Sequence, residues 1–416
     1  MTNPLQAWKN AWQSQSGSER ILKVRWVLNP EQPPLENMAI TEQNGQILDI
    51  RPVRASASDI LPILLIPPLV NAHTHLEFSS LTEPIRPAQP FQDWITAVIQ
   101  WRRGVDASNR ECIAKGLAES RQSGVTVVGE ITTTQPVARN DVANDSTVIS
   151  FREIIGLRQE QIPELFRVAT EHLAQHAAIQ RDNRVVGGIS PHAPYTVHSD
   201  LFESLIELAV SRDAVVAMHL AETTDELELL QDGSGRFVDF HKRLGLWNPA
   251  IFPGGRSIRE FLEPLARVPR ALAIHGNYFS SEDIRFLAEH SNIATVYCPR
   301  THAFFGHAPH PVLKLLGAGA RVILGTDSRA SNPDLSLWKE VQFVGRHYPD
   351  IGIPQLLAMA STHAADALGL PSNRHWIRKG GPLHCVLLNA KSNELELRKL
   401  ICDALTQPIA ILPIET

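Results

Sequence analysis

The sequence predicts an α/β protein built on a closed (β/α)8 TIM barrel, and three observations carry that expectation. Eight short apolar runs recur along the chain with amphipathic helical patterns between them, the alternation expected of a parallel sheet. Histidines and acids gather just after five of these runs, which a barrel would place on one rim. Further β-like runs at both chain ends predict a small additional sheet. With 416 residues, 43% hydrophobic and 20% charged, the chain is long enough for one large domain and a smaller one. An open doubly wound sheet is the alternative, disfavoured because no G-x-G-x-x-G opens a helix.

Composition narrows the function classes. The formal charge is −5 and the lysines and arginines are scattered, which argues against a nucleic-acid footprint. Cys112, Cys298, Cys385 and Cys402 form no C-x-x-C pair, so neither a disulfide framework nor a thiolate zinc site is expected, and a reducing compartment is. The first twenty residues are polar and lack the apolar core of a signal peptide. The most apolar stretch, Ile60 to Val70, is too short to span a bilayer and carries three prolines. The expectation is a soluble, cytoplasmic protein with a small-molecule substrate and no membrane association; a homo-oligomer is left open.

In chain order, residues 1–20 read as a polar helix or arm, with Trp8 and Trp12 as an i,i+4 docking pair. Leu22–Val27, Met38–Ile40 and Gln46–Ile50 follow as strands, with Asn44-Gly45 as a hairpin turn. The barrel then opens on the apolar run Ile66–Val70, which leads into Asn71-Ala72-His73-Thr74-His75. Seven more runs follow at Val125–Glu130, Thr147–Phe151, Val185–Ile189, Ala214–His219, Ala271–His275, Ile293–Tyr297 and Arg321–Gly325. Helical patterns include Glu164–Ala178, Leu201–Val210 with Ser199 and Asp200 as candidate caps, and Pro354–Leu368. Cys385–Leu388 and Ile409–Leu412 are β-like again and are expected to rejoin the N-terminal sheet.

The chemistry is read from the run ends. His73 and His75 point to one side if the first run is a strand. Roughly one His-x-His pair is expected by chance among 17 histidines, so the pair gains weight only from its partners. Those partners are Ser190–Tyr195 after the fourth run, His219–Glu222 after the fifth, His275–Asn277 after the sixth and Gly325–Ser328 after the eighth. Three imidazoles and one carboxylate, His73, His75, His219 and Asp327, suit zinc or a similar divalent ion with a position open for water. Such an ion would acidify that water to near neutrality. Glu222, three residues after His219, is placed to carry a proton; His275 is placed to bond the water or to ligate a second metal.

The motifs HTHL at 73–76, HLAE at 219–222, HGN at 275–277 and GTDS at 325–328 resemble the amidohydrolase superfamily. Within it they are similar to the deaminases of adenosine, S-adenosylhomocysteine, guanine and aminodeoxyfutalosine and to the related chlorohydrolases. The resemblance implies a barrel over residues 66–369 and a composite β-sandwich from residues 1–65 and 370–416. It also implies one zinc per subunit, with iron(II) as the alternative, on His73, His75, His219 and Asp327. Zinc hydroxide would add to an amino-bearing carbon while Glu222 protonates the ring, His275 orients the water and Asp327 shuttles a proton. No lysine stands at the fourth run end, where binuclear members carry a carbamylated ligand. The segment Gly381–Cys385 departs from the family's pattern, within the small sheet.

Substrate contacts follow from the same resemblance. His192 resembles a substrate-contacting histidine, and Glu77 a ribose-binding acid, although Glu77 is equally a buried carboxylate that orients a ligand histidine. The segments Phe151–Glu153 and Cys298–His307 look most like aminodeoxyfutalosine-deaminase-like sequences of menaquinone biosynthesis, which implies a pocket lined by Trp94, Arg152, Glu153, Arg300 and His302. The roles of His302 and His307 stay open. A deaminase acting on aminodeoxyfutalosine or a 5′-modified adenosine is the expectation; a chlorohydrolase, a guanine deaminase and a non-catalytic barrel are the alternatives. The cytidine-type zinc deaminases are excluded, since no P-C-x-x-C follows the H-x-E at His75.

Overall fold

A computed structural model describes residues 19–53, 60–104, 110–133, 137–143, 146–177, 184–390 and 396–412. The Trp8–Trp12 pair lies outside them. Two sheets organise the chain. Strands β1 (Arg20–Val27), β2 (Leu35–Gln43), β3 (Gln46–Pro52) and β4 (Leu61–Ile66) come first. The β2–β3 turn places Asn44 and Gly45 at φ 53° and 79°, the paired left-handed residues of a tight hairpin.

Eight parallel strands then follow in sequence order: β5 (Leu69–Thr74), β6 (Val125–Thr132), β7 (Thr147–Ile154), β8 (Val185–Pro191), β9 (Val215–Leu220), β10 (Arg270–His275), β11 (Ile293–Tyr297) and β12 (Arg321–Leu324). This is the expected (β/α)8 barrel. Its seam, between β12 and β5, is bridged by side chain and loop rather than by a ladder. Asn71 donates from Nδ2 to Thr326 Oγ1 (2.8 Å) and accepts from the Thr326 amide (3.0 Å), while the Asp327 amide donates to the His73 carbonyl (3.0 Å). Finally β13 (Cys385–Asn389) and β14 (Pro408–Leu412) rejoin the first sheet, giving the order β14-β13-β4-β1-β2-β3. All six end strands lie in that one hydrogen-bonded sheet. No helix among the described residues is long and apolar enough to cross a membrane.

Three local expectations are corrected. The first barrel run, Ile66–Val70, is divided between two sheets: Ile66 ends β4, which pairs with β13, Leu69 and Val70 begin β5, which pairs with β6, and Pro67-Pro68, without amide donors, makes the corner. The pattern Pro354–Leu368 breaks into helices Ile353–Met359 and Thr362–Ala367, because the Ala360 carbonyl accepts the Val70 amide of β5 (2.8 Å) instead of continuing a helix. The cap of helix Ser199–Arg212 is His198, whose Nδ1 accepts from the Asp200 amide (3.1 Å), rather than Ser199 or Asp200.

Packing follows from the double burial of the parallel strands. Residues such as Val70, Ile149, Phe151, Leu272 and Val296 fill the barrel, joined by Ala364 and Ala365 of helix Thr362–Ala367. The opposite strand faces pack under the outer helices, through Leu201, Leu205, Phe286 and Trp338.

Candidate active site

Four strand ends converge on one point. His73 is the penultimate residue of β5, and His75 stands just beyond it. Their rings are 4.9 Å apart, although the β5–β6 register slips between Asn71 and Thr74. His219 of β9 and His275 of β10 bring their rings to 5.0 and 5.9 Å from His73. Asp327, after β12, places Oδ1 3.6 Å from His73 Nε2 and 3.8 Å from His75 Nε2. The backbone is left-handed at Ala221 (φ 52°), His275 (73°) and Asp327 (58°), a region that non-glycine residues seldom occupy. Each of these turns follows a barrel strand or ends it.

Hydrogen bonds hold this geometry. His219 donates from Nδ1 to the His192 carbonyl (3.1 Å), which fixes its tautomer and leaves Nε2 for the cluster. Asp327 Oδ1 accepts the Ser328 amide (2.7 Å) and Oδ2 accepts the Ser331 hydroxyl (3.0 Å). Both oxygens of Glu226 accept backbone amides, those of Ala221 and Glu222 (2.9 Å each). Glu130 does the same for the Leu76 amide, pinning the turn after His75.

The donor set fits a divalent ion. Both ring nitrogens of His73 are fully buried without a hydrogen-bond partner, an arrangement costing about 1–3 kcal/mol per orphaned group unless a cation takes the lone pair. Ligand atoms of His73, His75 and His219, and of His73, His275 and Asp327, lie within 4.8 Å of one another in each set. Burial and the neighbouring imidazoles push His75 and His219 well below the usual histidine range, so both are neutral, as ligation requires. Burial alone would raise Asp327, but the imidazoles of His73, His275 and His219 around it outweigh that and hold the carboxyl at about 2.

A cavity of about 420 Å³ opens above this cluster. Glu222 lines it, with Oε1 3.3 Å from His275 Nε2. Burial, then the charges of Asp327 and Glu226, raise the Glu222 carboxyl well above its ordinary range. Among the expected substrate contacts, Trp94, Glu153 and His192 line the cavity, the last two 3.8 Å apart. Four others do not reach its wall. Glu77 lies behind it, bonded to Arg102 at 2.5 Å and to Thr133 at 3.2 Å. Arg152 alternates away from Phe151 and Glu153, whose side chains face inward, and acts electrostatically on His172 of an outer helix. Arg300 is bonded to Glu340 and Asp334. His302 bonds the Ala308 carbonyl (2.9 Å), and His307 meets Tyr278 (3.1 Å).

Two residues of consequence were not anticipated. Arg102 stands on the cavity wall eight residues after Trp94, two turns along the same face of helix Phe91–Gly104, a spacing that could have marked it. Glu226 carries the loop that presents Glu222; its sequence signal, an acid three residues after Thr223, is that of an ordinary helix start.

Residues 64–389 match the amidohydrolase family. Over 394 residues the chain is 26% identical to the 5-methylthioadenosine/S-adenosylhomocysteine deaminase of Pyrococcus furiosus, covering 90% of this chain and 87% of that one. It is 28% identical over 319 residues to the aminodeoxyfutalosine deaminase of Deinococcus radiodurans, covering 72% and 71%. Among solved structures, the aminofutalosine deaminase of Helicobacter pylori in complex with methylthio-coformycin shares the fold, with a TM-score of 0.74 at 22% identity over 94% of this chain and 97% of that one. The match spans the whole barrel and all of the strand ends described above, and the chain belongs to the amidohydrolase family.

Proposed function

We propose that the protein hydrolytically removes the amino group from the purine of a nucleoside-like metabolite, a 5′-modified adenosine or aminodeoxyfutalosine, with zinc as the resident ion and iron(II) as the alternative. The observation that supports this most is Glu222, a buried carboxyl 3.3 Å from His275 above the histidine–aspartate cluster. A cavity of about 420 Å³ suits a nucleoside-sized molecule. The activities named for the Pyrococcus and Deinococcus relatives belong to the same class. A place in menaquinone biosynthesis follows if aminodeoxyfutalosine is the substrate.

His73, His75, His219 and Asp327 would hold the ion. What the ion supplies when bound is a water acidified to a pKa of about 7. The chain's own residues move the protons. Glu222, its carboxyl raised by burial, holds a proton near neutrality and gives it to the ring nitrogen beside the amino-bearing carbon. His275, kept neutral by burial, orients the attacking water and bonds Glu222. Asp327, ionised, accepts a proton from the attacking water and returns it to the departing amine, and Glu222 recovers its proton from the added hydroxyl as the carbonyl forms and ammonia leaves.

Ammonia release by the zinc-loaded protein is the test, against aminodeoxyfutalosine, S-adenosylhomocysteine, methylthioadenosine, adenosine, guanine and a chlorinated triazine. One strong purine-nucleoside substrate, lost in Glu222→Gln with the ion retained, supports the reading. Turnover of guanine or triazine alone, or of nothing at full metal occupancy, refutes it.

A further inference from the structure

The segment 302–310 carries three histidines, His302, His307 and His310, and none of them lines the cavity. It lies beyond β11, where helix Pro299–Phe305 ends at Gly306, whose φ of 65° turns the chain back. The turn lays the buried His310 on Tyr297, the last residue of β11, with ring centroids 3.9 Å apart and planes at 19°. From that stack His310 Nε2 donates to the His275 carbonyl (2.9 Å), while its Nδ1 is buried without a partner. The His275 carbonyl is therefore the one polar group this ring serves. His307 bonds the Tyr278 hydroxyl through Nδ1 (3.1 Å). Two side chains of one segment thus hold the two ends of the turn from His275 to Tyr278.

That turn needs holding. His275 and Gly276 are consecutive left-handed residues, at φ 73° and 64°, and the first carries a side chain that disfavours the conformation. The turn is also tied to the loop that presents Glu222. The Gly276 amide donates to the Leu220 carbonyl (3.0 Å), the Tyr278 amide to the Ala221 carbonyl (3.1 Å) and Asn277 Nδ2 to the Glu222 carbonyl (3.0 Å). Any relaxation at residue 275 is felt where His275 Nε2 meets Glu222 Oε1, 3.3 Å apart. We propose that His310, seconded by His307 through Tyr278, is a positioning residue that sets the Glu222–His275 contact from behind the site without touching substrate. This rests on the proton-transfer roles given above. The imidazole contributes a flat ring for the stack and an N–H at fixed reach. Phenylalanine keeps the first and removes the second; glutamine carries an N–H at the same number of bonds from Cα.

Kinetics and crystallography of three variants test it. His310→Phe is expected to lower kcat roughly 10- to 100-fold, with KM changed by less than about threefold and the metal content unaltered. His310→Gln is expected to recover kcat to within about threefold of the unaltered protein. Tyr278→Phe, which removes only the second contact, is expected to lose roughly three- to tenfold in kcat. A crystal structure of His310→Phe is expected to show residue 275 out of the left-handed region, or the Glu222–His275 contact longer than 3.3 Å. An unmoved turn and contact in that structure overturn the inference whatever the kinetics. So does a kcat that stays level in His310→Phe or falls as far in His310→Gln. If His310→Phe does not fold, Tyr278→Phe decides, and an undiminished kcat there overturns the inference. If the unaltered protein deaminates nothing, the reading of Glu222 as proton carrier falls, while the crystallographic comparison still decides whether His310 sets the contact.

Discussion

Replacing Arg300 separates a structural role from contact with substrate, and the structure gives the size of the effect. Its Nε donates to Glu340 Oε1 (2.6 Å), and its Nη2 donates to Asp334 Oδ1 (2.8 Å) and to the carbonyls of Asp334 and Ser336 (3.2 Å each). Glu340 is 0% exposed. In Arg300→Met, Glu340 keeps the Asn332 amide and the backbone amide of residue 300, but its charge has lost the cation. Breaking such a buried pair costs about 3–5 kcal/mol. At about 2.1 cal/mol/K per residue, a chain this long unfolds with roughly 0.9 kcal/mol/K, so the melting midpoint is expected to fall by about 3–6 °C. The sign with pH follows from the same pair. Burial raises the Glu340 carboxyl and Arg300 holds it down, so without Arg300 it takes up a proton more readily. The deficit is therefore largest at about pH 8 and shrinks towards pH 5. Scanning calorimetry at both pH values, with kcat and KM on the same protein, decides the matter. An unchanged midpoint with KM raised tenfold would show that Arg300 touches substrate and that the clamp is misread.

Other perturbations have equally definite outcomes. Glu222→Gln is expected to lower kcat roughly 10²- to 10⁴-fold with the ion content unchanged, as metal analysis of the purified variant would show. Stripping the ion with a chelator should lower the melting midpoint, with recovery on adding zinc; a midpoint indifferent to metal would speak against the four-ligand set. Burial pushes His172 down to about 4 and His310 to about 3, so the folded state binds fewer protons than the unfolded one as pH falls below about 6.5. Their contribution is fully present above that value and lost on the way down to about 3, so urea stability should drop steeply between about pH 6.5 and 4.5. Gly129 faces β5 so closely that an added Cβ would stand 2.3 Å from the Ala72 carbonyl oxygen; Gly129→Ala should cost about 1–3 kcal/mol or more in a urea titration.

The barrel was legible because its strands, buried on both faces, read as near-continuous apolar runs of the right length. What a run could not show was where one sheet gives way to another: only the two prolines at 67 and 68 mark that corner, and they also fit a bend within one strand. The break at Ala360 was hidden for a different reason, since it depends on an acceptor needed by Val70, about 290 residues away in sequence. Residues projecting from strand ends were legible as a set, because topology alone puts them on one rim. The substrate wall was not. Phe240 and Leu244 lie on a helix outside the barrel, and Arg152 and Arg300 have suitable side chains but the wrong orientation, set by strand alternation in one case and by Glu340 in the other.

The three left-handed residues show how the rim is made to face inward. A regular strand would carry His275 and Asp327 straight on, with alternate side chains pointing away from the axis. A positive φ at each turns the chain, at a cost of order 1–3 kcal/mol apiece. Each is met by a nearby hydrogen bond. Glu226 takes the Ala221 and Glu222 amides, His310 donates from Nε2 to the His275 carbonyl (2.9 Å), and the His73 carbonyl accepts the Asp327 amide. That last bond also bridges the seam between β12 and β5, so the same contact that joins the barrel's two ends aims a carboxylate at its first histidine. Fold closure and site geometry are in that respect one constraint, which is why the residues around them include Asn71, Glu226 and His310, none of which need touch a substrate.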